Sequence, residues 1–165
     1  MLLAGASPAL AASASNNPDV TILRRLAFLR VDDMMFGNIL PGTTAGTVVI
    51  APSGARTKTG GVTLMSGTSQ PGAFAGWGTF NQNVQISMTA NSYTLTRSGG
   101  TQTMILDTFI IGSTPTAQLT TNPRVFRIAA TNGIFQFPLG ATLRVNANQT
   151  PGHYAGTIGI TLNYM

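Results

Sequence analysis

Apolar and polar residues alternate along the end of the chain, over the eleven residues that precede the final methionine. The odd-numbered positions of this segment carry small or polar residues. A turn signal, Pro151-Gly152, comes just before the segment. Alternation with period two is typical of a β-strand that buries one face. Chain ends usually fray, whereas this one keeps a regular pattern. We therefore predict that it is an assembly strand that pairs with a partner. Its apolar face consists of Tyr154, Ile158, Ile160, Leu162 and Tyr164, with Gly156 between them.

Short β-rich runs separated by turn signals make up most of the remaining chain. Pairs such as Pro41-Gly42, Pro71-Gly72 and Asn132-Gly133 recur at short intervals between these runs. The spacing predicts eight or nine strands, no helix and an antiparallel sandwich. Asn132-Gly133 is the strongest hairpin signal, because Asn-Gly suits a two-residue type I′ turn. The predicted strands are GTVVIAP, GGVTLMSG, NVQISMT, SYTLTR, TMILDTFIIG, RVFRIAA, GIFQFPLGATLRV and YAGTIGITLNY.

The segment TILRRLAFLRV, residues 21–31, has a pattern that fits either a helix or a strand. A helix here would be short and would lack a cap, and its arginines could touch a membrane surface. A strand would be interrupted by Arg24, but it matches the prediction for the rest of the chain. We therefore favour a strand. Its apolar face consists of Val20, Ile22, Leu26 and Phe28.

The composition supports the strand prediction and bounds the size of the protein. The 165 residues suffice for one domain, and 43% of them are hydrophobic while only 8% are charged. The chain has no glutamate, one lysine and 24 threonines, a balance that favours strands over helices. The sequence therefore predicts an all-β fold, with a sandwich domain over residues 32–165 after an N-terminal strand over residues 15–31.

The opening residues MLLAGASPALAASAS have the pattern of the later part of a secretory signal. They form an apolar, alanine-rich run that ends in small residues, with A-x-A triplets at Ala9–Ala11 and Ala12–Ala14. We expect residues 1–14 to be a signal that is cleaved after Ala14, which makes the protein secreted; a flexible Ala/Ser tail is the alternative. No run reaches the roughly 18 apolar residues of a transmembrane segment, so none is predicted.

Few residues offer chemistry for catalysis or for metal binding. His153 is the one histidine, and a triad or a metal site would need partners for it. Asp32 and Asp33 are adjacent and would point to opposite faces of a strand. Cysteine is absent, which excludes a disulfide framework and thiolate ligands. We therefore expect a protein that is not an enzyme and that uses no cofactor and no metal.

The positive net charge raises the question of a nucleic-acid partner. The chain has nine cations and four acids, for a net charge of +5. A nucleic-acid surface would cluster these cations and place aromatic residues between them, whereas here they are scattered along the chain. We predict no nucleic-acid partner.

Residues 20–164 resemble a family of bacterial secreted β-sandwich domains of unknown function. In that family a Thr/Ile/Val-rich strand leads to an L-D-F-G-x-I-x-P-G segment and then to a G-T-V-x-I-x-P-x-G-x-R hairpin. The matching residues in the first half are Phe36, Gly37, Ile39, Pro41, Gly42, Gly46, Thr47, Val48, Ile50, Pro52, Gly54 and Arg56. Those in the second half are Gly140, Thr142, Leu143, Val145, Gln149, Gly152, Tyr154, Gly156, Thr157 and Tyr164.

That family is in turn similar to spore-coat-U-like proteins and to subunits of chaperone–usher pili. The resemblance implies an incomplete immunoglobulin-like sandwich that is completed by a strand from a neighbouring subunit. It also implies a homopolymer at the cell surface, exported through the periplasm with a chaperone and an outer-membrane usher as partners. Pilins of this kind end in an alternating strand closed by a tyrosine, which a chaperone reads by β-augmentation.

Two functions therefore follow from the sequence. The first is a structural subunit of an extracellular filament, pilus or surface coat, in which residues 15–31 supply a donor strand through Val20, Ile22, Leu26 and Phe28. We expect the donated part to be Ser15 to Arg25, although the segment could also fold back on its own domain. The alternative is a monomeric secreted adhesive or carbohydrate-binding module. The two differ in whether residues 15–31 pack on their own sandwich or on another chain.

Overall fold

The computed structural model describes residues 18–113 and 116–165. Every regular element in these two ranges is a β-strand and every strand pair is antiparallel, which confirms the all-β prediction. The predicted signal, residues 1–14, and residues 15–17 lie outside the described part. The strands are β1 (Ala27–Asp32), β2 (Met35–Phe36), β3 (Ile39–Ile50), β4 (Arg56–Leu64), β5 (Ser69–Gln70), β6 (Gly72–Trp77), β7 (Asn83–Met88), β8 (Ser92–Arg97), β9 (Thr103–Ile111), β10 (Ala117–Leu119), β11 (Arg124–Arg127), β12 (Ile134–Val145), β13 (Tyr154–Ala155) and β14 (Ile160–Tyr164).

Strand β12 is the centre of the larger sheet. Its residues 134–139 pair with β6, its residues 141–145 pair with β3, and its residues 139–144 pair with β9. The nine-stranded sheet continues from β6 to β1, from β3 to β4, and from β9 to β10 and to β8, which pairs with β13. A second sheet has the order β11-β7-β14, and β2 pairs with β5 in a short ladder.

The hydrophobic core lies between the two sheets and follows the alternation of side chains along the strands. Strand β7 buries Val84, Ile86 and Met88, while the residues between them are only half-buried. Strand β12 buries its odd-numbered residues from Phe137 to Val145, and Gly140 among them is buried as well. Because neighbouring side chains of a strand point to opposite faces, each strand presents one face to the core. The molecule is a β-sandwich, as predicted.

Three stacked phenylalanines attach the first strand to the larger sheet. The ring centroid of Phe28 in β1 lies 5.3 Å from that of Phe74 in β6 and 5.9 Å from that of Phe137 in β12. The rings of Phe74 and Phe137 are 5.6 Å apart. Aromatic contacts of this kind add stabilisation beyond the burial of their area. The start of the sandwich is therefore fixed by Phe28.

The strand predicted over residues 21–31 forms only in its second half, because β1 begins at Ala27. Residues 18–26 belong to no strand, and the side chains of Val20 and Ile22 are 82% and 88% exposed. Residues 27–32 gain pairing partners in β6, whereas the residues before them have none among the described strands.

The hairpin predicted at Asn132-Gly133 is wrong. Strand β11 pairs with β7 in the small sheet, and β12 belongs to the large sheet, so the turn connects two sheets rather than two neighbouring strands. A type I′ turn needs positive φ at both central residues, but here only Gly133 has one, at 80°. The side-chain oxygen of Asn132 instead accepts a hydrogen bond from the backbone N–H of Ile134.

A β-bulge in β9 changes which side chains face the core. Thr108 and Phe109 lie opposite the single residue Ala141 of β12, and Thr108 has a φ of 52°. The buried positions of β9 are therefore even-numbered before the bulge, at Met104 and Leu106, and odd-numbered after it, at Phe109 and Ile111. A β-branched residue at positive φ is uncommon and carries strain.

Replacing Phe74 with alanine should lower the free energy of unfolding by about 3–5 kcal/mol, because the ring is buried and packs against two others. The matched control is Trp77→Ala in the same strand, whose side chain is 43% exposed. We expect the control to cost less than about 1.5 kcal/mol. Chemical denaturation followed by circular dichroism measures both variants, and equal effects would contradict the described core.

Replacing Thr108 with glycine should stabilise the fold, because glycine adopts positive φ without a steric penalty. The expected gain is on the order of 1 kcal/mol, or a rise in Tm of about 2–4 °C. In the control Thr94→Gly, the residue changed is an exposed position of the regular strand β8, and this variant should lose about 0.5–1 kcal/mol. A fall in Tm for both variants in thermal melts would argue against strain at Thr108.

Candidate functional site

A groove of about 1260 Å³ runs along the last strand segment, and we call it the terminal groove. One wall consists of Arg30 and residues 32–41, and the other consists of residues 149–158. The first wall begins in β1, contains β2 and enters β3, and the second contains β13. The groove therefore lies between the beginning and the end of the domain.

The floor of the terminal groove is apolar and belongs to the hydrophobic core. It is formed by inward-facing side chains of the larger sheet, from β6, β8, β9 and β12. Five of its six side chains are only 2–8% exposed, because apolar residues of the two walls pack against them. The floor residues are Phe74, Leu95, Met104, Leu106, Leu143 and Val145.

The two walls run in opposite directions. At one end the hydroxyl of Tyr164 donates a hydrogen bond of 2.7 Å to the carbonyl oxygen of Arg24. At the other end the N–H of Asn148 donates a 2.8 Å hydrogen bond to the carbonyl oxygen of Gly42. The chain therefore passes from residue 24 to residue 42 on one side of the groove and returns from residue 148 to residue 164 on the other.

The wall formed by the last residues is an edge of both sheets. Strand β13 is the terminal strand of the larger sheet, and β14 is an outer strand of the small sheet. The sequence predicted one continuous strand at the end of the chain, but the structure divides it into β13 and β14. Residues 156–159 between these two strands belong to no strand. A β-carbon on Gly156 would lie too close to the carbonyl oxygen of Thr94, so glycine allows the chain to pass close to β8 here. An edge of this kind presents unpaired backbone groups.

Tyr164 fastens the N-terminal segment to the end of the last strand. Besides donating to Arg24, its hydroxyl accepts a 2.8 Å hydrogen bond from the N–H of Thr79. The N–H of Arg24 donates to the Thr79 hydroxyl at 2.5 Å, and the Arg24 guanidinium donates to the carbonyl oxygen of Asn132 at 3.1 Å. We call this set of contacts the Tyr164 latch. It fixes the point at which residues 18–23 leave the domain.

A second polar network holds the other end of the same wall. Gln149 is only 9% exposed, and its side-chain amide donates to the carbonyl oxygen of Thr103 at 3.2 Å and to the Tyr154 hydroxyl at 2.7 Å. The Tyr154 hydroxyl donates in turn to the carbonyl oxygen of Thr150 at 2.7 Å. Buried polar groups need such partners. This wall is therefore anchored at both ends and free along its edge.

The structure places the predicted assembly residues of the last strand on one side, as the alternation indicated. Tyr154, Ile158, Ile160 and Leu162 are half-buried and pack against the core. Tyr154 and Ile158 also line the terminal groove, whereas Tyr164 lies beyond it in the latch.

The four residues predicted for the donor strand fall into two groups. Phe28 packs in the core of its own domain, and Leu26 is half-buried beside Gly78. Val20 and Ile22 are exposed and pair with no strand in the described part of the chain. Only the first half of the predicted donor segment is thus available to another molecule.

The charged groups near the terminal groove are mostly exposed. Arg30 and Asp33 form an ion pair of 2.6 Å with both side chains about two-thirds exposed, and such pairs contribute little to stability. His153 lies on the rim, with its Nδ1 3.3 Å from the hydroxyl of Ser98. Residues 18–113 and 116–165 contain no cluster of three or more potential metal ligands. They also contain no helix long and apolar enough to cross a membrane.

Sequence reasoning missed the floor and the first wall of the terminal groove. The period-two pattern of β8, β9 and β12 does predict which side chains face inward. It does not show that some of them line an opening, because that depends on which strand lies above them. Residues 33–38 of the first wall carry no period-two pattern, and the family segment that includes Phe36 and Gly37 did not indicate a groove.

The fold and the groove define an all-β sandwich domain with an open edge along its last strand. The chain belongs to the family Domain of unknown function (DUF4402), whose model matches residues 26–164. The matched region begins beside the Tyr164 latch and ends at Tyr164 itself, so it covers every described strand. Searches of curated proteins and of solved structures found no match.

Tyr164→Phe should loosen residues 18–26, because it removes the hydroxyl that joins Thr79 and Arg24. Leaving a part-buried N–H unpaired costs about 1–2 kcal/mol, which would speed local opening by roughly 5–30-fold. Limited trypsin digestion after Arg24 and Arg25, followed by mass spectrometry, measures this rate. Tyr154→Phe is the control, since its hydroxyl binds Gln149 and Thr150 instead. Equal cleavage rates in the two variants would show that the latch does not hold this segment.

Proposed function

We propose that the protein is a structural subunit of an extracellular bacterial filament or surface coat, assembled by β-strand donation into the terminal groove. The observation that carries the proposal is an apolar groove bounded by two antiparallel walls, in a chain that also exposes an alternating apolar segment. The proposed function does not involve catalysis, a cofactor or nucleic acid.

A β-strand is the occupant that suits the terminal groove. One wall is a free strand edge with backbone donors and acceptors, and the floor is a row of inward-facing apolar side chains. An added strand would form ladder hydrogen bonds to the edge, and its alternate side chains would pack against the apolar lining of the groove. The same addition would remove the exposed edge, which otherwise favours uncontrolled pairing between chains.

The N-terminal segment of a second copy is the strand that we assign to the groove. Val20 and Ile22 are separated by one residue and are both more than four-fifths exposed. Two such side chains point to the same face of a strand and would lie together on the groove floor. Residues 15–23 would extend about 30 Å as a strand, close to the roughly 33 Å that the ten wall residues 149–158 could span if extended.

The Tyr164 latch favours donation to another molecule over folding back. The segment leaves its own domain at the latch, and Val20 and Ile22 are 82% and 88% exposed rather than seated in their own groove. A neighbouring subunit is therefore the acceptor that we assign to them.

Strand donation by a segment outside the acceptor site gives a head-to-tail contact. An interface of that type is heterologous and need not close, so it generates a filament rather than a ring. The proposal includes an immunoglobulin-like sandwich that lacks one strand between its first and last edges. It also includes export through the periplasm, where a chaperone and an outer-membrane usher would cover the groove before assembly.

A truncated protein that begins at Arg24 tests the proposal, because it keeps the latch and every described strand. We expect the full chain to form filaments in size-exclusion chromatography and electron microscopy, and the truncated protein to remain a monomer. The truncated protein should then bind a synthetic peptide of residues 15–25, measured by fluorescence polarisation. The control peptide carries Val20→Asp and Ile22→Asp and should bind at least about tenfold more weakly, since burying unpaired charges is costly.

Two results would contradict strand donation. The first is a truncated protein that still forms filaments. The second is a stable monomer that binds both peptides equally or neither of them. The second result, together with a monomeric full chain, would favour the alternative, a monomeric secreted adhesive or carbohydrate-binding module.

A further inference from the structure

The turn Asn132-Gly133 combines a chemically reactive sequence with a closed geometry. It is the one Asn-Gly pair in the chain, and Asn132 is exposed while Gly133 is buried. Because glycine has no side chain, the backbone nitrogen of Gly133 is not shielded from the side chain of the residue before it. An asparagine in this position can lose its amide group spontaneously, without an enzyme.

This loss, deamidation, begins when the backbone nitrogen of Gly133 attacks the side-chain carbonyl carbon, Cγ, of Asn132. A new N–Cγ bond forms, the attacking nitrogen gives up its proton, and the side-chain NH₂ group leaves with a proton as ammonia. Water then adds to one of the two carbonyl carbons of the cyclic imide. The bond from that carbon to the ring nitrogen breaks, and the nitrogen regains a proton. The product is aspartate or isoaspartate, which has a carboxylate in place of the amide.

In the folded protein both reacting groups are held in hydrogen bonds to other residues. The N–H of Gly133 donates to the carbonyl oxygen of Ala130 at 2.8 Å. The side-chain oxygen of Asn132 accepts a 3.0 Å hydrogen bond from the N–H of Ile134. The attack needs the Gly133 nitrogen to lose the proton that it donates and the Asn132 side chain to turn toward that nitrogen, so both hydrogen bonds must break. The reaction therefore requires local opening of the turn.

The Tyr164 latch holds the same turn from the other side. The Arg24 guanidinium donates to the carbonyl oxygen of Asn132 at 3.1 Å. The N–H of Gly78 donates to the carbonyl oxygen of Gly133 at 3.0 Å. The Tyr164 hydroxyl in turn binds the carbonyl oxygen of Arg24 and the N–H of the residue that follows Gly78. Opening of the turn is therefore coupled to opening of the latch.

We infer that Asn132 is a modification site and that the Tyr164 latch controls its spontaneous deamidation. While the latch is closed, the turn stays hydrogen-bonded and the amide is retained. When the latch opens, the Gly133 nitrogen reaches Cγ and the reaction proceeds. The product has a negative charge next to the Arg24 guanidinium, so the modification changes the electrostatics of the latch itself. The inference does not depend on strand donation.

Peptide mapping by mass spectrometry tests this inference, because it measures the conversion of Asn132 in the full chain over time. Four hydrogen bonds hold the turn, and breaking each one slows the reaction by about 2–10-fold. We expect the folded chain to react at least about tenfold more slowly than the same chain unfolded in urea at the same temperature and pH. Tyr164→Phe should react at least about threefold faster than the original folded chain, because part of the opening has become easier.

Two controls separate the latch from a general loosening of the fold. Tyr154→Phe removes a tyrosine hydroxyl at the other end of the same wall, and it should leave the rate at Asn132 unchanged. Asn91, which is followed by Ser92, is not part of the latch and serves as an internal reference in every sample. Its rate should be the same in Tyr164→Phe and in the original chain.

Four results would overturn the inference. The first is no product at Asn132 in the unfolded chain, and the second is a folded chain that reacts as fast as the unfolded one. The third is a rate at Asn132 that Tyr164→Phe does not change. The fourth is an equal increase at Asn132 and Asn91 in that variant, which would show general destabilisation rather than release of the latch.

Discussion

An edge strand presents a row of backbone N–H and C=O groups that no neighbouring strand satisfies, and here one chain segment is the edge of both sheets. Residues 154–155 end the larger sheet and residues 160–164 end the smaller one. The side chains of this segment pack inward, so the sandwich needs it, but its backbone remains open along the terminal groove. The other features of the molecule follow from how this open edge is held in place.

The two ends of the edge are held by hydroxyl groups of tyrosines. Tyr164 joins the last strand to the N-terminal segment, and Tyr154 joins the beginning of the same wall to the buried Gln149. A third tyrosine acts between them, since the Tyr93 hydroxyl donates a 2.9 Å hydrogen bond to the carbonyl oxygen of Gly159. Phenolic hydroxyls suit this role because each can donate and accept at the border between core and solvent.

Tyr93 also connects the last segment of the chain to the hydrophobic core. Its hydroxyl holds this segment at Gly159, and its ring meets the ring of the buried Phe109 at a centroid distance of 5.5 Å.

The sequence by itself determined the fold class, the faces of the regular strands and the alternation of the last segment, because side-chain direction in a strand depends only on local geometry. Strands such as β7 and β8 could be predicted for this reason. The strand β6 was missed, because alanine and glycine rarely favour strands. Tertiary structure alone decided which strands are neighbours, and it placed β11 and β12 in different sheets despite the turn signal Asn132-Gly133. It also decided that the buried positions of β9 change from even-numbered to odd-numbered at Thr108. It also placed residues 32–41 opposite residues 149–158 across the terminal groove, because these segments are far apart along the chain and no local pattern shows that they come together.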